Sequence, residues 1–225
     1  MNIVAFDTST EYCSLALWLD GRLISRDVLA GQRHSELLLP MLQTMLNEAG
    51  VTLNRIDGIA FGAGPGSFTG LRIACSVAQG LAFSQDIPVV GISTLEALAQ
   101  RVDTPKVLAV LDARMGELYF AAYEKAATGW SAVHEPLLCR PETAPAVSGG
   151  GWTGCGSGFD LYQPGLSEHY NGNLQQIISG CYPHAREMVQ MAVIQFDNGE
   201  GKAAEEALPV YIRNKVALKE SERGR

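Results

Sequence analysis

The sequence predicts an α/β protein built from two related halves. Three observations predict it. Strand-like apolar runs alternate with helical periodicity, a strand–acidic turn–strand pattern opens the chain, and that pattern restarts about halfway along. Displaced by 105 residues, Ile3–Asp7 (IVAFD) lies over Leu108–Asp112 (LAVLD). Without a gap, Leu15–Trp18 (LALW) then lies over Phe120–Tyr123 (FAAY). Agreement on both sides of the turn favours duplication over chance. Asp103-Thr104-Pro105 marks the joint, so residues 1–102 are expected to form the N-terminal half and 103–225 the C-terminal half, with a C-terminal segment able to pack back on the first.

Each element has its own local reason. Asn2–Phe6 and Cys13–Leu19 are runs of strand formers, and Asp20-Gly21 supplies a hairpin turn towards Arg22–Val28. Ser35 is the expected cap of a helix through Glu48 that stops at Gly50 and carries Pro40 near its start. Its stripe of Leu37, Leu38, Met41, Leu42 and Met45 suits either core or a partner-binding face. Ile56–Phe61 reads as a strand, and a glycine-rich loop joins it to a helix ending near Ser84. That helix is apolar around most of its circumference, with only Arg72, Ser76 and Gln79 as a polar stripe, so it needs cover on more than one side. Pro88–Ile92 predicts another strand and Thr94–Gln100 a short helix. In the second half, the six glycines of 148–158 predict a turn or strand–loop region, and 185–196 has helical spacing. Residues 209–217 read as a final segment, with Tyr211 and Arg213 extended ahead of a basic tail.

Composition narrows the function classes. The 225 residues carry 17 Lys and Arg against 24 Asp and Glu, a formal charge of −7. A dominant basic footprint for nucleic acid is therefore missing. The charge is uneven, because residues 211–225 hold a net +3 and leave −10 on the preceding 210. No apolar run has the ~20 residues that span a bilayer, and the first ten residues do not read as a signal peptide. Five cysteines without a CxxC, and four histidines without HxxxH or HExxH spacing, predict reduced thiols in a cytoplasm and no metal centre.

The conspicuous motif is Gly62-Ala63-Gly64-Pro65-Gly66-Ser67-Phe68-Thr69-Gly70 between strand and helix. Such a loop can offer backbone N–H groups to an anion. No Lys-Ser/Thr pair makes it a Walker A loop, and Ser67 stands where a dinucleotide fingerprint needs its third glycine. Tight turning with close helix packing and phosphate contact both remain open for Gly64 and Gly66. No serine lies in a GxSxG elbow, and His34 reads as a capping or packing residue.

Asp7-Thr8-Ser9 between two strands resembles the first phosphate hairpin of the actin/hexokinase/Hsp70-like ATPases, and Asp112-Ala113-Arg114 takes the corresponding turn of the second half. Asp7, Thr8, Gly64, Gly66 and Asp112 are thus the candidate nucleotide-binding residues, although Arg114 departs from the pattern. Taken together, IVAFDTSTEYCSLALW (3–18), GAGPGSFTGLRI (62–73), LDARMGELY (111–119) and PVYIRNKVA (209–217) resemble the bacterial TsaB family, also called YeaZ. The resemblance implies the glycoprotease-like branch of the duplicated actin/hexokinase-like fold. It further implies a non-catalytic partner that works with the paralogue TsaD and the ATPase TsaE. That system installs threonylcarbamoyl on N6 of adenosine 37 in tRNAs reading codons that begin with A.

The paralogue's metal-binding run, Gly-Val-Asn-His-Met-Glu-Gly-His, corresponds here to 91–98 (GISTLEAL), so Thr94 and Leu98 stand in place of its two histidines. Leucine cannot coordinate a metal and a lone neutral hydroxyl is a poor ligand. Its second phosphate turn, Ser-Gly-Gly-His, corresponds to Asp112–Met115. No catalytic residue, metal or cofactor is expected beyond residual ATP or ADP binding, and the chain reads as a pseudo-enzyme. The family's mode of pairing implies a homodimer, or a heterodimer with TsaD, through Leu37, Met41 and Met45 of the first long helix and Ile73, Val77 and Leu81 of the second. Contact with tRNA would then run through the complex. Two alternatives stand beside this reading: an autonomous ATP-dependent phosphotransferase with Asp7 as its base, and a glycoprotease-type peptidase. The first lacks a good second phosphate turn; the second lacks a metal pair and an activated nucleophile.

Overall fold

The computed structural model describes residues 1–213; the basic run from Lys215 to Arg225, read above as a tail, lies outside them. In the first half, β1 (Asn2–Asp7), β2 (Tyr12–Leu19) and β3 (Arg22–Leu29) form an antiparallel meander. Asp20 and Gly21 both take positive φ at the β2–β3 turn, as an Asp-Gly hairpin requires. α1 (His34–Ala49) leads to β4 (Gly58–Gly64), α2 (Phe68–Gln85), β5 (Val89–Ser93) and α3 (Thr94–Val102). The second half runs β6 (Lys106–Arg114), β7 (Glu117–Lys125), β8 (Trp130–Cys139), β9 (Trp152–Cys155), α4 (Ser157–His169), β10 (Leu174–Ile178) and α5 (Ala185–Asp197).

The sheets are ordered β3-β2-β1-β4-β5 and β8-β7-β6-β9-β10. In each, three antiparallel strands are followed by two parallel ones. This is the duplicated actin/hexokinase-like architecture. The layers follow from which face each helix covers. α1 and α2 bury the outer face of the first sheet, with Phe6, Leu15, Leu17 and Phe61. α5 covers its inner face around Ile3, Ala5 and Ile92. α3 packs its Leu95 and Leu98 onto the inner face of the second sheet, and α4 covers the outer face around Val110 and Phe120. Two helices therefore cross over: α3 follows the first sheet in sequence and serves the second, while α5 follows the second and serves the first.

The repeat is present but slips by one residue in its first strand. Phe6 pairs with Leu15, and Val110 with Phe120. All four face outer helices. Leu15 and Phe120 are equivalent at the 105-residue displacement, whereas Phe6 matches Val110 and not Leu111. A one-residue slip turns a strand's side chains to the opposite face. Asp7 and Asp112 are consequently not equivalent. Asp7 points inward towards α5, and Asp112 stands one position further into its turn.

Other local readings also change. α1 begins at His34 with Arg33 as its uncapped N-cap residue, so Ser35 lies inside the first turn. It does end at Gly50, which is left-handed. The glycine-rich 148–158 segment is a strand–loop region as read, holding the buried strand β9, and α4 begins there at Ser157.

Candidate functional site: the cleft and the outer helical face

The two halves enclose a cleft of about 1050 Å³. Its walls are the β1–β2 turn at Ser9–Glu11, the loop and helix start at Pro65–Leu71, the β6–β7 turn at Asp112–Met115, and the C-terminal residues Val210–Arg213. Of the five candidate nucleotide-binding residues, Gly66 and Asp112 line this cleft, whereas Asp7, Thr8 and Gly64 do not.

Asp7 is fully buried behind its own turn, where Oδ2 accepts bonds from the Ser9 hydroxyl (2.8 Å) and the Ser9 N–H (3.2 Å). Oδ1 is buried without a hydrogen-bond partner. Burial pushes the carboxyl up to about 6, against the pull of the Ser9 bonds. Thr8 is equally buried, and its hydroxyl donates to the Gly70 carbonyl at 2.6 Å. Asp112 closes its own turn, accepting from the Arg114 N–H at 2.9 Å and lying 3.2 Å from the Arg114 guanidinium.

The glycines of the 62–70 loop are explained by close packing within the chain. A Cβ at Gly62 would meet Asp7 Oδ1 at 1.8 Å. At Gly66 it would lie 2.7 Å from the Ser9 carbonyl oxygen, and at Gly70 1.8 Å from the Thr8 carbonyl oxygen. Gly64 has a positive φ of 117° and faces the Val210 carbonyl. Two of the loop's N–H groups are engaged within the chain: Ser67 N–H donates to Ser9 O at 2.8 Å, and Ser67 caps α2 by accepting from Gly70 N–H. The acidic side chain of the first turn faces away from the cleft, while the second turn sets the exposed Arg114 and Met115 along its wall.

Thr94 and Leu98, which the resemblance sets against metal-binding histidines, are both engaged in packing. Thr94 is buried and its hydroxyl donates to the Pro65 carbonyl; Leu98 is buried in the α3 core. Among the described residues, no group of three or more His, Cys, Asp or Glu is gathered to hold a metal ion. His34 is buried at the cleft wall with Nε2 3.3 Å from the Tyr12 carbonyl.

On the outside of the first half, Leu37 and Met41 of α1 and Ile73, Val77 and Leu81 of α2 are half-buried beside the core. Met45 departs from the interface expected for it. At 2% exposure it belongs to the inward row Leu38, Leu42, Met45 and Leu46, and is part of the chain's own core. Sequence reasoning passed over Phe83, which is 82% exposed at the end of the Arg72–Ser76–Gln79 stripe, and Leu39, also exposed. Phe83 was the one readable signal, being an aromatic ring at heptad spacing on an otherwise polar row.

Fold and site together define a two-halved α/β protein of the actin/hexokinase-like class, with a retained cleft and an apolar outer helical face. The family TsaD, described as tRNA N6-adenosine threonylcarbamoyltransferase, matches residues 28–150. The tRNA threonylcarbamoyladenosine biosynthesis protein TsaB of Escherichia coli is 38% identical, over 97% of this chain and 97% of its own length. Its Haemophilus influenzae counterpart is 34% identical, over 97% and 96%. YeaZ from Pseudomonas aeruginosa superimposes with a TM-score of 0.87 at 38% identity, covering 93% of this chain and 99% of that one. The chain belongs to the TsaB (YeaZ) family, a paralogous branch of the TsaD-like proteins.

Proposed function

We propose that this chain is a non-catalytic partner subunit in tRNA threonylcarbamoyladenosine biosynthesis, docking on a TsaD-type transferase and acting with TsaE in the cytoplasm. The observation that carries the reading is the fate of the catalytic positions. By the resemblance, Thr94 and Leu98 stand where the transferase carries metal-binding histidines, and both are engaged in packing within an intact fold. A protein that keeps the fold and loses the donors is suited to present a surface. The half-buried row on α1 and α2 supplies such a surface, for a second copy when alone and for the transferase in the complex. No nucleotide is required by this role, and the acidic body need not neutralise tRNA phosphates itself.

Omission and add-back in a reconstituted reaction tests the proposal. Modified nucleoside is expected only when this chain joins TsaD, TsaE and the enzyme that forms threonylcarbamoyl-adenylate. Undiminished product without this chain overturns the proposal, and so does appreciable metal-dependent ATP hydrolysis by the chain alone.

A further inference from the structure

The chain after α5 takes a course that the proposed role does not use. Lys202 exchanges two backbone bonds with Val89 at the β5 edge, at 2.8 and 2.9 Å. The next residues cross α2, where the Ala207 carbonyl accepts from Cys75 Sγ at 3.1 Å and from Gln79 Nε2 at 2.8 Å. The Val210 N–H donates to Ala63 O at 2.7 Å, at the end of β4. Tyr211 lies beside Phe68, with ring centroids 5.5 Å apart, and its hydroxyl accepts from Arg72 Nε at 2.9 Å. The Arg72 guanidinium in turn sits 3.6 Å over the Phe68 ring. All of these anchors are in the first half.

The next two residues leave it. Ile212 packs against the inner core of the second sheet. Arg213, only 12% exposed, pairs with Glu117 on β7 and donates to the Arg114 carbonyl at 3.2 Å. Its other terminal nitrogen lies 3.0 Å from Met115 Sδ. The turn it grips is strained: Arg114 and Met115 hold consecutive positive φ of 64° and 59° before Gly116. Asp112 closes this turn from within, and Arg213 adds a hold on it from outside.

We infer that residues 207–213 are an interdomain strap, anchored on α2 and latched by Arg213 to the β6–β7 turn, that sets the width of the cleft. The strap walls the cleft and touches both of its lips, so its release removes one of the contacts that join them. It also joins α2, which carries the outer face, to a turn in the opposite half. The inference goes beyond the proposed function and is independent of it, because the chain alone displays it.

Hydrogen–deuterium exchange of the full chain tests the strap. Arg213→Ala is expected to raise exchange about tenfold both at 112–117 and at 64–71, the effect of losing one charge-assisted contact from a local opening equilibrium. The strands β1 and β4 stay protected. Arg213→Glu combined with Glu117→Arg is expected to restore protection at both segments. A rise confined to 211–213, or none, overturns the inference. If Arg213→Ala does not fold, Glu117→Gln removes the charge while keeping the side chain's shape, and silence at both segments in that variant overturns it equally.

Discussion

The carboxylate of Asp7 occupies the space that a side chain at Gly62 would need: a Cβ there falls 1.8 Å from Oδ1 and 3.3 Å from Met188 Cε. A glycine in the middle of a fully buried strand weakens it unless another group uses the vacancy, and here the acid of the neighbouring strand does so. Gly62→Ala is therefore expected to destabilise the protein by about 1–3 kcal/mol, the usual cost of overpacking. Urea unfolding measures it. An unchanged midpoint means that Asp7 adopts another rotamer.

Asp7 also makes stability depend on pH. Its carboxyl is raised by burial from 3.8 to about 6. Between those values the unfolded chain releases its proton while the native state keeps it, so the native state loses stability as pH rises through the window. Above it the cost is constant, at roughly 3 kcal/mol. Asp7→Asn cannot ionise and retains an acceptor for Ser9. The difference in unfolding free energy between the two proteins should widen in favour of the variant from pH 4 to pH 6.5 and then level off. A flat difference means that Asp7 is charged in the folded protein.

Much of the first half could be read directly from its residues. The Asp20-Gly21 hairpin, the stop at Gly50 and the apolar circumference of α2 each have a local cause that survives in the structure. What could not be read was set by distant contacts. The slip that separates Asp7 from Asp112 is invisible in two apolar strands of matching composition, because only the helix over each face reveals which residue points where. Met45 shares its spacing with Met41, and a rotation of about 40° along α1 divides core from surface. The glycine loop's spacing suits an anion cradle and a packing device equally, and its close packing against Thr8 and Ser9 is a long-range contact that no local pattern encodes.

Two glycines of α2 should respond oppositely to the same change. Gly70 is pressed against backbone, with the Thr8 carbonyl oxygen 1.8 Å from a would-be Cβ, and the backbone has no rotamer by which to escape. Gly80 is exposed and nothing lies within 4 Å of its Cβ position. Gly70→Ala is expected to cost about 3 kcal/mol or more, and Gly80→Ala to stabilise the monomer by up to ~1 kcal/mol. Thermal or urea unfolding at a concentration that keeps the chain monomeric separates them. Equal effects would mean that the helix start does not rest on the first turn.

The division between core and outer face predicts a split between stability and association. Met45→Ala removes a side chain buried among Leu38, Leu42 and Leu46 and is expected to cost about 2–5 kcal/mol of folding stability. Met41→Glu and Val77→Glu place a charge at half-buried positions on the rim of that core, where the carboxylate can reach water in the isolated chain. They are expected to leave the unfolding midpoint nearly unchanged. In a dimer or a transferase complex the same carboxylate would be enclosed without a partner, a heavy penalty for a charge. Sedimentation velocity should therefore show monomer for both glutamate variants under conditions where the parent chain dimerises, and pull-down by TsaD should fail. An intact dimer in Val77→Glu rules out the α1–α2 face as the interface, whereas unfolding of Met41→Glu would show that this residue belongs to the core with Met45.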